Sequence, residues 1–102
     1  MRDYEVPDVP VKMKAYDVRL TGRVQGVYFR GSAKAEANRL GVHGWAKNLS
    51  DCSVQLFLQH AEKTPLDQML AWCNTGPPGA EVAWRDVRET TPDGSLNGFE
   101  VR

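Results

Sequence analysis

What this 102-residue chain lacks narrows its function before any motif is read. No apolar run approaches the roughly twenty residues that a membrane-crossing helix needs, and no signal peptide is apparent. Net charge is also absent. Thirteen Lys and Arg balance thirteen Asp and Glu, so no general attraction to nucleic acid or an anionic membrane is expected, although local clusters such as Arg19, Arg23 and Arg30 fit within that balance. The two cysteines, Cys52 and Cys73, have no metal-ligand spacing and are too few for a disulfide framework. They read as free thiols in a reducing compartment, the cytosol. Internal repeats and low-complexity segments are missing too. What remains, at 41% hydrophobic and 25% charged residues, is one globular domain long enough to form its own core.

A more local absence marks the stretch Gly22-Arg23-Val24-Gln25-Gly26-Val27-Tyr28-Phe29-Arg30. Before it, Tyr16, Val18 and Leu20 alternate with Asp17, Arg19 and Thr21, the period of a half-buried strand. After it, Phe29, Ala33, Ala37 and Leu40 recur at helical spacing. The stretch is therefore a strand-to-helix turn. A helix start leaves main-chain N–H groups unpaired, and Ser, Thr, Asp or Asn commonly caps some of them. None of these occurs from Gly22 to Phe29. Arg30 moreover stands in the first helical turn, where the macrodipole disfavours a cation. Unpaired donors beside a misplaced cation make sense if an anion belongs there, and phosphate fits both. No Gly-Lys-Ser/Thr follows, which argues against a nucleoside triphosphate loop.

The rest of the chain fills in around that turn. Residues 1–14, with Pro7 and Pro10 and no sustained periodicity, are expected to be a flexible extension ahead of a domain spanning residues 15–102. Gly41 should end the first helix. Val42, Gly44 and Ala46 alternate into a second strand that ends near Asn48, Leu49 to Cys52 make a hairpin turn, and Val54, Leu56 and Leu58 mark a third strand. Thr64 as N-cap, Pro65 at the first helical position and Asp67 in the first turn announce a second helix, buried through Leu66, Met69, Leu70 and Cys73 and stopped by Gly76-Pro77-Pro78. Val82 and Val87 bracket a fourth strand whose apolar phase slips by one residue, as at a bulge. Pro92-Asp93-Gly94-Ser95 signals a turn, and residues 98–102 read as a short final strand.

The order βαββαβ plus a short final strand specifies an α+β, ferredoxin-like split βαβ sandwich: an antiparallel sheet with two helices on one face. A helical crossover makes the first two strands parallel, with another strand between them. Their C-terminal ends then share one edge of the sheet, which brings the turn and Asn48 together. Ferredoxin-like sheets also host RNA readers, but the aromatic RNP pattern and a basic surface are both missing here.

The chain resembles the acylphosphatase family. The family's loop signature G-x-V-Q-G-V-x-F-R is matched without gaps from Gly22 to Arg30, and its second signature, G-W-x-x-N, at Gly44, Trp45 and Asn48. The likeness runs from about Tyr16 to Arg102. It implies hydrolysis of acyl phosphates (carboxyl-phosphate anhydrides) to a carboxylate and inorganic phosphate, by a cytosolic monomer with no cofactor, no metal and no nucleic-acid or membrane partner. Inorganic phosphate would be both product and inhibitor. Arg30 and the backbone of Gln25, Gly26, Val27, Tyr28 and Phe29 would hold the phosphoryl group, and Asn48 would align the attacking water.

The residues themselves agree with that chemistry. Guanidinium is always charged and meets phosphate bidentately, and an amide both donates to and accepts from water without competing as a charge. A pairing of Arg30 with Glu36 or the C-terminal carboxylate is the plainer alternative for that side chain. No His, Asp or Glu occurs in either motif up to Asn48. Expelling an alkoxide needs a general acid, whereas an acyl phosphate expels a carboxylate, whose conjugate acid has a pKa of about 4. The donor set thus suits acyl phosphates, or else a non-catalytic module that only binds them. One departure stands out. The family usually has glycine where this chain has Cys52; if φ is positive there, the turn is strained by about 1 kcal/mol and Asn48 is affected. His43, His60 (expected in a loop) and Asp17 read as surface groups, and Arg23 as solvated or field-setting.

Overall fold

Elements follow one another as β1 (Lys14–Arg23), α1 (Phe29–Leu40), β2 (His43–Asn48), β3 (Val54–His60), α2 (Lys63–Trp72), β4 (Glu81–Thr90) and β5 (Phe99–Val101) in the computed structural model, which describes residues 13–102. The expected N-terminal extension lies, but for its last two residues, outside the described residues. The strand order is β4-β1-β3-β2-β5. β3 is antiparallel to both β1 and β2, so those two run parallel on either side of it, as the crossover requires. Direction is the feature that residue pattern did not convey for β5: it lies parallel to β2, making the sheet mixed.

Alternation decides which face is covered. Val18 and Leu20 of β1, Ala46 of β2, and Val54, Leu56 and Leu58 of β3 are all buried in one cluster with Phe29, Ala33 and Ala37 of α1 and Leu66 and Met69 of α2, along with Cys73. Ala33 and Ala37 stand one helical turn apart, and their small side chains let α1 approach the sheet closely. Leu70 is only half buried against this core. The opposite face carries Asp17, Arg19, Gln55, Asp86 and Arg88 beside a stacked Trp45–Phe57 pair, whose ring centroids are 5.9 Å apart. Asp17 there accepts from the Gln55 amide at 3.1 Å.

Several local expectations are met at atomic detail. Gly41 is left-handed and its N–H returns to the end of α1, while residue 42 donates to Ala37 O. The slipped phase of β4 is a register shift: Trp84 pairs with Thr21 and Val82 with Gly22, leaving Ala83 over. Gly44 shows why β2 contains glycine. A Cβ there would lie 1.6 Å from Phe57 O.

Two expectations are corrected. Helix α2 starts earlier, with Glu62 as N-cap and Lys63 in the helix, so Thr64 and Pro65 are both inside the first turn. Proline is tolerated there because first-turn N–H groups lack intrahelical acceptors anyway. Asp67 sits one turn in and pairs with Lys63 at 2.6 Å, which supports the extra turn. His60 closes β3 rather than lying in a loop, and its Nδ1 accepts from Glu62 N at 2.8 Å.

Candidate active site

The turn from β1 to α1 is anchored at both ends by buried apolar side chains. Val24 is fully buried, and Phe29 is packed into the core with its ring edge-on to Trp72, centroids 5.2 Å apart. Between these anchors the backbone is held off the core. Gly26 has φ +78° with open space where a Cβ would be, and Tyr28 has φ +59° with its side chain 79% exposed and its ring lying over Gly31. Tyr28 is the N-cap of α1 and provides no side-chain capping bond, and no acidic residue occupies the first turn. Among the described residues, the main-chain N–H groups from Gln25 to Arg30 find no carbonyl acceptor; the first closing bond of the helix runs from Ser32 N to Tyr28 O. The uncapped start expected from the sequence is therefore present in space.

These groups edge a hollow of about 370 Å³ lined by Gln25, Gly26, Tyr28, Arg30, Asn48 and Val101, with Val24, Phe29 and Gly31 behind them. Arg30 and Asn48, from the ends of two different elements, thus meet at one site because β1 and β2 point the same way across β3. Val27 does not line it. Its side chain packs against the core instead and approaches Gly79. Among the described residues, Arg30 is the only charged one in the lining. Its Nη1 donates at 2.8 Å to the oxygen of Arg102, the last residue, so the C-terminal pairing considered for Arg30 is present, and its other guanidinium N–H groups have no acceptor among the described residues. Glu36, the other partner considered for Arg30, is held by Arg39. The three arginines grouped in sequence separate. Arg19 faces the open side of the sheet, Arg23 lines a separate hollow with Asn74 and Glu81, and Arg30 alone of the three reaches the hollow beside Asn48.

The Arg102 oxygen is the C-terminal partner already considered for Arg30, but Val101 was not legible as a site component. The only sequence signal was a short terminal strand, and its place at the hollow depends on the parallel pairing with β2. The side chain of Gln25 was also missed. Its Nε2 donates to Leu49 O and to Ser53 O, both at 2.9 Å, and so ties the β1–α1 turn to the turn that follows Asn48.

That second turn is closed by its own bonds: Leu49 N to Ser53 O at 2.9 Å and Cys52 N to Leu49 O at 3.1 Å. Asp51 Oδ1 accepts from both the hydroxyl and the N–H of Ser53, and these two bonds hold its carboxyl below the usual carboxylate range. Cys52 is exposed and has φ +74°, the conformation the glycine comparison anticipated. Cys73 is buried, and loss of solvation pushes its thiol up to about 12, so it is chemically quiet. No group of three or more His, Cys, Asp and Glu that could hold a metal occurs among the described residues, and no helix among them is long and apolar enough to cross a membrane.

The chain as a whole is similar to known proteins. The family model described as Acylphosphatase matches residues 16–101. A protein named acylphosphatase from Rubrobacter xylanophilus is 44% identical over 89 residues, covering 87% of this chain and 80% of its own length. Another of that name from Methylococcus capsulatus is 44% identical over 87% of this chain and 96% of its own. The solved structure of an acylphosphatase from Coxiella burnetii superposes with a TM-score of 0.80 at 35% identity, covering 88% of this chain and 93% of the other.

Proposed function

The chain belongs to the acylphosphatase family, and from that premise we propose that it hydrolyses carboxyl-phosphate anhydrides by direct attack of water on a phosphoryl group held at the hollow. The observation that carries this reading is the uncapped start of α1, whose unpaired N–H groups share the hollow with Arg30 and, among the described residues, with no Asp or Glu side chain. Phosphoryl oxygens take the main-chain donors from Gln25 to Phe29 and the available guanidinium donors of Arg30. Asn48, on the facing rim, holds a water in line. That water forms the new P–O bond as the bond to the acyl oxygen breaks. The electron pair leaves on the carboxylate, and the proton is lost to solvent or to the phosphate formed. Because the leaving group is a weak base, no general acid is needed. Stabilising the phosphoryl charge and aligning water are then most of the catalytic task. Nothing in these steps calls for a metal or cofactor. The reading includes a cytosolic monomer, and two free thiols, one of them exposed, suit the cytosol.

The test gives Arg30 and Asn48 different jobs. Arg30→Gln should weaken inhibition by inorganic phosphate and also lower kcat, since charge on the phosphoryl oxygens is stabilised in ground and transition states alike. Asn48→Ala should leave the phosphate inhibition constant nearly unchanged and lower kcat roughly 100-fold, a loss of about 3 kcal/mol in transition-state stabilisation. Both are assayed on a small acyl phosphate with and without a strong chelator, which should change nothing. Equal loss of phosphate affinity in both variants would make Asn48 a binding residue. Phosphate binding without turnover in the wild type would leave a binding module.

A further inference from the structure

We propose that Gln25 is a positioning residue: its side-chain amide keeps Asn48 in register with the phosphate cradle by tying the β2–β3 turn to the β1–α1 turn. This rests on the reading of Asn48 as the water-aligning group. β1 and β2 share no hydrogen bonds, because β3 lies between them. The two halves of the hollow are therefore borne by strands that are only indirectly joined. Across that gap, among the described residues, the side-chain hydrogen bonds between the two turns are those from Gln25 Nε2 to Leu49 O and Ser53 O, both 2.9 Å. Both acceptors are carbonyls, so the NH2 end of the amide must face them, and its two hydrogens satisfy one each.

The place of those acceptors matters. Leu49 directly follows Asn48, and Leu49 and Ser53 are the two ends of the turn, already joined by Leu49 N to Ser53 O. Gln25 thus grips both ends of a closed turn at once, which fixes its position and its tilt relative to the cradle. The turn does not need Gln25 in order to form, since it has its own main-chain bonds and the Asp51–Ser53 pair. What the amide adds is registration. The demand for it is raised by Cys52, which sits in the same turn at φ +74° and biases the turn to relax away from the geometry that serves Asn48. Errors of about 1 Å in placing a reacting group can cost up to roughly 100-fold in rate.

The test is a cycle between Gln25→Met, which keeps length but removes both donors, and Asn48→Ala. For Gln25→Met in the otherwise native chain, kcat should fall roughly tenfold, with the phosphate inhibition constant within about twofold of wild type. In the Asn48→Ala background the same substitution should change kcat by less than about twofold, because there is no amide left to misplace. Gln25→Glu, which presents oxygen to the two carbonyls, should behave like Gln25→Met. In 15N spectra the Asn48 side-chain amide should shift or broaden in Gln25→Met while the cradle resonances stay in place; this readout also shows whether the variant has folded. The same fold-loss in both backgrounds would overturn the proposal by showing that Gln25 acts independently of Asn48. Weakened phosphate inhibition would overturn it by making Gln25 part of the cradle. Wild-type turnover in Asn48→Ala would instead sink the water assignment, and this proposal with it.

Discussion

Replacing Cys52 by glycine should make this protein more stable, and the size of the effect follows from one backbone angle. Cys52 has φ +74°, a left-handed conformation that costs a residue with a Cβ about 1–2 kcal/mol. Glycine removes that cost but has more freedom to lose on folding, which returns about 0.4–1 kcal/mol. The difference favours glycine by roughly 0.5–1 kcal/mol. Little else is at stake. The side chain is exposed, and the bond that closes the turn here, Cys52 N to Leu49 O at 3.1 Å, belongs to the main chain and survives substitution. For a domain of about 100 residues each kcal/mol moves Tm by about 4–8 °C, so Cys52→Gly should raise Tm by roughly 2–8 °C. Cys52→Val is the control. A β-branched side chain is least suited to positive φ, so that variant should melt below wild type. Thermal unfolding by circular dichroism under reducing conditions measures all three chains, and kcat should not fall in the glycine variant, because its turn holds Asn48 at least as well. A Tm for Cys52→Gly at or below wild type, or equal values for glycine and valine, would refute the assignment of strain to this residue.

Two further outcomes test the fold and the turn. Gly44→Ala should destabilise severely, by about 3 kcal/mol or more, because a Cβ there would overlap Phe57 O at 1.6 Å and force β2 away from β3; a denaturant midpoint close to wild type would mean the pairing yields easily. Asp51 gives a pH dependence of defined sign. Its hydrogen bonds from Ser53 depress its folded-state pKa, so its contribution to stability is present above the ordinary carboxylate range and is lost as pH falls through the depressed value. Wild type should therefore be more stable than Asp51→Asn at neutral pH, with the gap closing toward strongly acid pH. A gap that stays constant from neutral pH to about pH 2 would show that the charge on Asp51 plays no part.

The sequence by itself determined what is encoded within a few residues. Alternation marked the strands, Gly41 marked the end of α1, and the absence of any capping side chain between Gly22 and Phe29 marked the uncapped helix start that the structure displays. The positive φ at Cys52 was raised only by the family resemblance, through the glycine usual at that position, and the turn has it at +74°. The convergence of Arg30 and Asn48 on one hollow was legible too, because a helical crossover leaves the two strands only one direction to share. Element starts were less secure, as α2 shows, since Lys63 and Pro65 have no strong veto on the first turn of a helix.

Only the tertiary structure decided what depends on meetings between distant segments. β5 lies parallel to β2 with Phe99 in the core, and nothing in three residues of strand states their direction. From that pairing follow Val101 at the hollow and the Arg102 oxygen against Arg30. The bridge from Gln25 to Leu49 and Ser53 spans two turns that a whole strand separates, so neither neighbourhood contains any sign of it. A side chain's local conformational preference is written beside it. Its hydrogen-bond partner across the fold is settled only when packing has placed both ends.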